Sequence, residues 1–168
     1  GNVLNSRGSV IPFFKKLIKI KKTSLPITDP KMTRFFISLH DGIKFVLNSF
    51  ERMQGGEIFI PKLPSCYIKD IAKALSPKTK LKIIGIRPGE KLHESLCSTE
   101  ESHLTIEFRN HYVIEPTIWE PNVNVKTYMI DQKKERGRRV KKNFEYNSHN
   151  NKDILNILAI KKILKKSN

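Results

Sequence analysis

Apolar positions along the chain change period several times, and each change marks an expected element. Residues 1–5 read as the end of a buried strand, followed by the small, polar loop Ser6-Arg7-Gly8-Ser9, which lets a backbone approach a ligand closely. Residues 10–20 repeat at helical spacing. Phe13, Phe14, Leu17 and Ile18 share one face, Ser9 is placed as N-cap, and Pro12 falls in the first turn, where it is tolerated. Residues 25–28 form a short extended piece closed by a turn at Asp29-Pro30. Residues 32–39 read as a strand in which Arg34 is the only charge, and such a charge needs a partner or an anionic ligand. Helical period returns over residues 40–53, with Ile43, Val46, Leu47 and Phe50 on one face and Gly55-Gly56 as the stop. A strand over 57–61 follows, then a helix over 66–75 with Ile68, Ile71, Ala72 and Leu75 inward, then a β-branched strand over 81–86. Residues 40–90 therefore alternate helix, strand, helix, strand, which predicts an α/β layer with a parallel strand pair. Alternation after Leu104 and the run Tyr112-Val113-Ile114 predict a β-rich extension. Residues 119–150 read as polar, basic loop, and residues 151–165 as a short terminal helix.

Composition narrows the field. At 38% hydrophobic residues the chain can build a core, and no apolar run reaches the length of a membrane span, so no membrane is expected as a partner. The net charge is +16, yet the lysines and arginines are scattered and lack the interleaved aromatics of a base-stacking platform. Nucleic acid is therefore not the expected partner. Cys66 and Cys97 form neither a CxxC pair nor a disulfide framework, which suits a reducing, cytoplasmic setting. No two of the five histidines have the helical i, i+4 metal spacing, and no metal is expected. Gly-x-Ser-x-Gly, the glycine-rich dinucleotide fingerprint and the P-loop are all missing. Because the sequence opens on Gly1 in mid-element, we expect a piece of a longer protein.

The stretch with the most chemistry is Ile86-Arg87-Pro88-Gly89-Glu90-Lys91-Leu92-His93-Glu94, a turn at the end of a strand. Arg87 offers a rigid fork of donors suited to phosphate oxygens, and Glu90 can accept from a pair of sugar hydroxyls. One short turn can thus hold both parts of a nucleotide diphosphate. A surface turn with an ordinary salt bridge explains the same tetrapeptide.

Four stretches in order carry a resemblance: the opening Gly-Asn-Val-Leu-Asn-Ser-Arg-Gly-Ser-Val-Ile-Pro-Phe-Phe, then Leu-Pro-Ile-Thr-Asp-Pro-Lys-Met-Thr-Arg-Phe, then Gly-Gly-Glu-Ile-Phe-Ile-Pro-Lys, then Gly-Ile-Arg-Pro-Gly-Glu-Lys-Leu-His-Glu. Together they resemble the C-terminal half of the inverting UDP-N-acetylglucosamine 4,6-dehydratases, which are extended short-chain dehydrogenase/reductases. His111-Tyr-Val-Ile-Glu-Pro-Thr and Phe144-Glu-Tyr-Asn-Ser resemble the branch that begins pseudaminic acid synthesis for flagellin glycosylation.

The resemblance implies an α/β fold, the last parallel strands of a Rossmann-type sheet plus a substrate lobe. It implies an NADP-dependent lyase acting on UDP-N-acetylglucosamine, a homo-oligomer when complete. In that reaction NADP+ takes a hydride from C4, water leaves across C5 and C6, and the hydride returns to C6 with inversion at C5. The family's nucleotide fingerprint, Asp-Lys pair and Tyr-x-x-x-Lys would lie upstream of Gly1, so no catalytic residue is expected in this chain. Carried over by position, Asn2, Val10 and Thr28 would touch the substrate, Arg87 the diphosphate, Glu90 the ribose, and Arg34 would be a second phosphate donor. Val3, Leu4, Asn5, Ser6 and Arg7 would line the nicotinamide side. Asn5 stands where the family usually has Gly or Ala. The expected organisation is a sheet and sugar-nucleotide lobe over 1–118, a basic loop-rich segment over 119–150, and a helix with a Lys-rich end over 151–168. Other readings open at this point are a UDP-sugar 4-epimerase, a capsule-type 5-epimerising dehydratase, a basic nucleic-acid-binding module and a non-functional remnant.

Overall fold

The computed structural model describes residues 2–117 and 127–166. The first residue of the expected opening strand, Gly1, and residues 119–126 of the expected loop lie outside them, as does the 118/119 boundary. In chain order the elements are β1 (Asn2–Val3), α1 (Val10–Lys19), β2 (Ser24–Ile27), β3 (Thr33–Ile37), α2 (Leu39–Phe50), β4 (Ile58–Pro61), β5 (Ser65–Tyr67) and α3 (Ile68–Leu75). Then follow β6 (Lys80–Ile83), β7 (Ser95–Cys97), a 3-10 turn at Glu100–Leu104, β8 (Thr105–Glu107), β9 (His111–Ile114), β10 (Arg138–Arg139), β11 (Tyr146–Asn147) and α4 (Ile157–Lys166). They fall into two units that interleave in sequence. Unit 1 is residues 1–39, 63–94 and 147–168, and unit 2 is residues 40–62 and 95–146.

Unit 1 is mixed α/β with parallel pairs. β1 runs parallel to β3, with Asn2 opposite Phe36, and β3 runs antiparallel to β5. β2 and β6 form a second parallel pair, Leu25 opposite Leu81 and Ile27 opposite Ile83. Burial of Ile11, Phe14, Leu25, Phe36, Ile71 and Ile160 in one cluster binds α1, α3 and α4 to these strands. Each such side chain contributes about 1.5–3 kcal/mol of transfer free energy. The basic excess belongs here, since Asp29, Asp70, Glu90, Glu94 and Asp153 are the unit's only acidic residues.

Unit 2 is built on an antiparallel sheet in the order β10-β8-β9-β4. Ile106, Phe108, Val113 and Tyr128 form its core, and the Tyr128 hydroxyl donates to the Gly55 carbonyl at 2.6 Å. His111 lies buried between Phe108 (ring centroids 4.7 Å apart) and Phe59 (5.5 Å). Burial, then the nearby Arg52 cation, push its pKa below the ordinary value. Arg52 pairs with Asp131 and with Glu135 at 2.6 Å, fastening the basic segment to the end of α2. Gly137 packs so closely that a Cβ there would collide with Ile106 and stand 2.9 Å from Phe108.

Several expectations are corrected. β4 and β6 are not neighbours: β4 pairs antiparallel with β9, and the parallel partner of β6 is β2. Alternation of elements sets their order, and strand adjacency is decided by longer-range packing. The strand expected over 81–86 ends at Ile83. Ile43, Val46, Leu47 and Phe50 point outward, and α2 contains no buried residue. Phe13 on α1 is likewise exposed, while Phe14 is buried. The segment read as loop holds β10, β11 and the buried Tyr128, Asp131 and Tyr146. The terminal helix starts at Ile157, because residues 153–155 bond instead to Ser65: its N–H donates to the Asp153 carbonyl and its carbonyl accepts from Leu155.

Candidate functional site

Every candidate residue belongs to unit 1. β2 and β6 run parallel and end together, and the Ile84 N–H donates to the Ile27 carbonyl at 2.9 Å. Thr28 and the run into Arg87 thus leave the sheet at its carboxyl edge, where open α/β sheets bind ligands. Arg87-Pro88-Gly89-Glu90 closes as a type II turn: Pro occupies the second position, Gly89 takes φ +82°, and the Glu90 N–H donates to the Arg87 carbonyl at 3.0 Å. Glu90 Oε2 accepts from the Arg87 N–H at 3.1 Å, which locks the turn. The Arg87 side chain is 67% exposed, and its one ion-pair contact among the described residues is from Nε to Glu90 Oε1 at 4.0 Å. An exposed pair at that distance contributes little, so the fork of donors stays available.

Arg34 differs. Its Nη1 donates to the carbonyls of Thr33 (2.7 Å) and Leu92 (3.1 Å), its Nη2 donates to the Lys91 carbonyl (2.6 Å), and its Nε lies 3.3 Å from Glu94 Oε1. The side chain is 12% exposed. It holds residues 91–94, the continuation of the Arg87 turn, against β3. The Thr33 hydroxyl adds to this clasp, bonded to His93 Nδ1 at 2.8 Å and to Ser148 Oγ at 2.7 Å, while Ser148 Oγ accepts from the Glu94 N–H at 2.9 Å.

β1 delivers the second group of residues. Leu4 continues the pairing through an N–H bond to the Ile37 carbonyl at 2.9 Å, and Asn5 then turns the chain at φ +58°. That left-handed conformation suits Gly, with Asn among the few side chains that visit it routinely. Ser6 and Ser9 close the loop through 3.3 and 3.1 Å bonds to the carbonyls of Val3 and Ser6, and Gly8 (φ +77°) has open space where a Cβ would stand. α1 starts directly after, with Val10 half-buried at its head. The buried Ser9 Oγ has no hydrogen-bond partner among the described residues and makes no side-chain cap, so a donor and acceptor stand ready at a helix N-terminus.

One cluster underlies all these segments, with Ile27 and Phe36 buried in it and the partly buried Leu4, Val10, Leu81 and Leu92 packed against it. Arg34 is joined to the loop that follows Arg87. No hydrogen bond or ion pair among the described residues joins Arg87 to Asn2–Arg7 or to Thr28. Glu94, Thr33 and Ser148 were not singled out in the sequence. The one available signal was Arg34 itself, whose need for a partner was legible while the partner was not.

An exposed Arg and a carboxylate on a locked turn, at the carboxyl edge of a parallel strand pair, belong to an α/β protein. The family model described as polysaccharide biosynthesis protein matches residues 1–116, and the chain belongs to that family. It is 55% identical over 164 residues to the inverting UDP-N-acetylglucosamine 4,6-dehydratase of Campylobacter jejuni serotype O:2, covering 94% of this chain and 49% of the relative. A UDP-glucose 4-epimerase of Rickettsia bellii is 40% identical, with 98% and 47% covered. The X-ray structure of Pen from Bacillus thuringiensis superimposes with a TM-score of 0.77 at 26% identity, over 99% of this chain and 48% of that one. The chain thus spans about half the length of the relatives it matches.

Proposed function

We propose that this chain is the sugar-nucleotide-binding half of an inverting UDP-N-acetylglucosamine 4,6-dehydratase, at the start of pseudaminic acid synthesis. The observation that carries the proposal is the Arg87-Pro88-Gly89-Glu90 turn, whose guanidinium is exposed and nearly unpartnered at a parallel-strand edge. Arg87 grips the diphosphate by charge-assisted hydrogen bonds, and Glu90, fixed by the turn, accepts from the ribose through its remaining lone pairs. Asn2, Val10 and Thr28 form the sugar-facing wall. Arg34, whose donors mostly serve residues 91–94, acts on phosphate through the loop that it orients. The higher identity to the dehydratase than to the 4-epimerase supports this substrate chemistry.

A nicotinamide cofactor, NADP, fits the loop over Val3, Leu4, Asn5, Ser6 and Arg7: the backbone turns sharply at Asn5, Gly8 leaves space, and the Ser9 hydroxyl is unclaimed. When bound, the cofactor supplies reversible hydride transfer. This chain's residues would hold one side of its ring and exclude water there, and the proton-moving residues belong to the half of the relatives that the chain does not span. The complete protein would be a cytoplasmic homo-oligomer. No helix among the described residues is long and apolar enough to cross a membrane.

Calorimetric titration of UDP into the chain tests the site. Binding that weakens in Arg87→Ala is expected, and equal dissociation constants would remove Arg87 from the site. Measurable C6 dehydration by the 168-residue chain alone would overturn its assignment as a half.

A further inference from the structure

Unit 2 holds an open pocket of about 300 Å3 between the end of β4, the turn from β8 to β9 and the chain entering β10. Its charged walls are Lys62, Glu107, Arg109, Glu135, Arg136 and Arg138. Both carboxylates are already spent. Glu107 accepts from Lys62 Nζ at 2.9 Å on one oxygen, and from Arg138 Nε at 3.0 Å and Nη2 at 2.9 Å on the other. Glu135 gives one oxygen to Arg52 at 2.6 Å and the other to the Arg109 backbone N–H at 3.0 Å. Lys62 is spent too, since its Nζ also donates to the carbonyls of Phe108 (2.7 Å) and Arg109 (3.3 Å). What remains is the guanidinium of Arg109 and that of Arg136. Both side chains are exposed, and neither makes a hydrogen bond or ion pair with a described residue.

The backbone beneath these two side chains is fixed. Arg109 is clamped by Glu135 at its N–H and by Lys62 at its carbonyl, in a turn that the Phe108 N–H closes on the His111 carbonyl at 2.9 Å. Arg136 bridges to Ile130, and the next N–H, of Gly137, donates to the Met129 carbonyl at 2.9 Å. β10 runs antiparallel to β8 with Arg138 opposite Glu107, and the same register continued two residues sets Arg136 across from Arg109. Each guanidinium is a planar fork of donors. A carboxylate fills one fork, whereas a tetrahedral phosphate dianion presents oxygens to both and matches their two charges. The pocket stands at the lower end of the range for small-molecule sites, about 300–1,000 Å3, and its charged walls suit a polar body.

We propose that this pocket binds a small phosphomonoester, with its phosphate held between Arg109 and Arg136. The Arg87 turn belongs to unit 1, and the proposal is independent of which sugar nucleotide binds there.

Calorimetric titration of glycerol 3-phosphate into the 168-residue chain, at low ionic strength and without phosphate buffer, tests the site. Expected is a saturable binding step that persists in Arg87→Ala, weakens at least tenfold in Arg109→Ala and in Arg136→Ala, and returns in part in Arg109→Lys and Arg136→Lys. Glycerol alone should not bind, and an unchanged far-ultraviolet circular dichroism spectrum shows that the alanine variants have folded. Sedimentation with phosphatidic acid vesicles separates a lipid headgroup from a free phosphate, and the chain should stay in solution. No saturable step, unchanged affinity in either folded alanine variant, loss of the step in Arg87→Ala, or binding to the vesicles but not to glycerol 3-phosphate would each overturn the proposal.

Discussion

Around Arg34 the chain supplies nearly everything that a guanidinium can use: three carbonyls and the Glu94 carboxylate, inside a half-buried strand. Around Arg87 it supplies a locked backbone turn and one carboxylate oxygen at 4.0 Å. Both side chains sit near the same stretch of sequence and could be read alike as phosphate donors. Burial separates them. An Arg held 12% exposed must be satisfied from within the protein, and one left 67% exposed need not be. The first therefore shapes the loop, and the second is free to meet a ligand.

The largest expected effect is at Arg34. Arg34→Ala removes charge-assisted bonds to residues 91–94, takes the Arg34 donor from the Lys91 carbonyl and leaves the Leu92 carbonyl with the Thr33 N–H alone, so it should destabilise unit 1 by about 2–4 kcal/mol. Urea unfolding followed by circular dichroism reads it. A loss below about 0.5 kcal/mol would collapse the contrast with Arg87.

Arg87→Ala should show the converse: stability within about 0.5 kcal/mol of the parent, and UDP binding weaker by roughly tenfold to a hundredfold. Arg87→Lys should recover only part of that affinity, because a point charge cannot copy a planar fork. Titration calorimetry on the three proteins sharpens the comparison. If Arg87→Ala unfolds the chain while leaving UDP affinity alone, the two arginines share one structural role.

Gly89→Ala tests whether the turn matters as well as the cation. A Cβ meets nothing there, so the φ of +82° alone decides, at a cost of about 1–2 kcal/mol. UDP affinity should fall with the loosening turn, and thermal unfolding with calorimetry on one sample measures both. Glu90→Gln should be the mildest change. An amide oxygen still accepts from Arg87 N–H and from a ribose hydroxyl, and a drop in UDP affinity of less than about fivefold, under 1 kcal/mol, is expected by the same titration.

Much of the fold was legible because period and turn chemistry are local. α1, α3 and the strands around Arg34 and Arg87 fall within a few residues of where their apolar spacing puts them. The Pro88-Gly89 pair specified its own turn type. Pairing was less legible: nothing near Ile58–Pro61 says that its neighbour is His111–Ile114, far along the chain. α2 and α3 make the same point about burial. Both carry an apolar stripe, yet α3 hides Ile68, Ile71 and Ala72 whereas α2 hides nothing, because a stripe states which face wants cover and not where the cover is. The candidate residues at Thr28 and Arg87 could be named from sequence. The clasp of Glu94, Thr33, His93 and Ser148 could not, since it joins positions more than a hundred residues apart.

Gly137 gives the basic segment an unexpected mutational profile. Among Lys133, Lys134, Arg138 and Lys141, exposed and lysine-rich, most exchanges between cations should pass selection unnoticed. At 137 even one methyl group would strike Ile106 and crowd Phe108. Saturation mutagenesis across 131–142 should therefore return a landscape permissive at these cations and closed at 137, as it is at the Arg52 partners Asp131 and Glu135, and lineages that reshuffle the neighbouring positive charges should keep the glycine fixed.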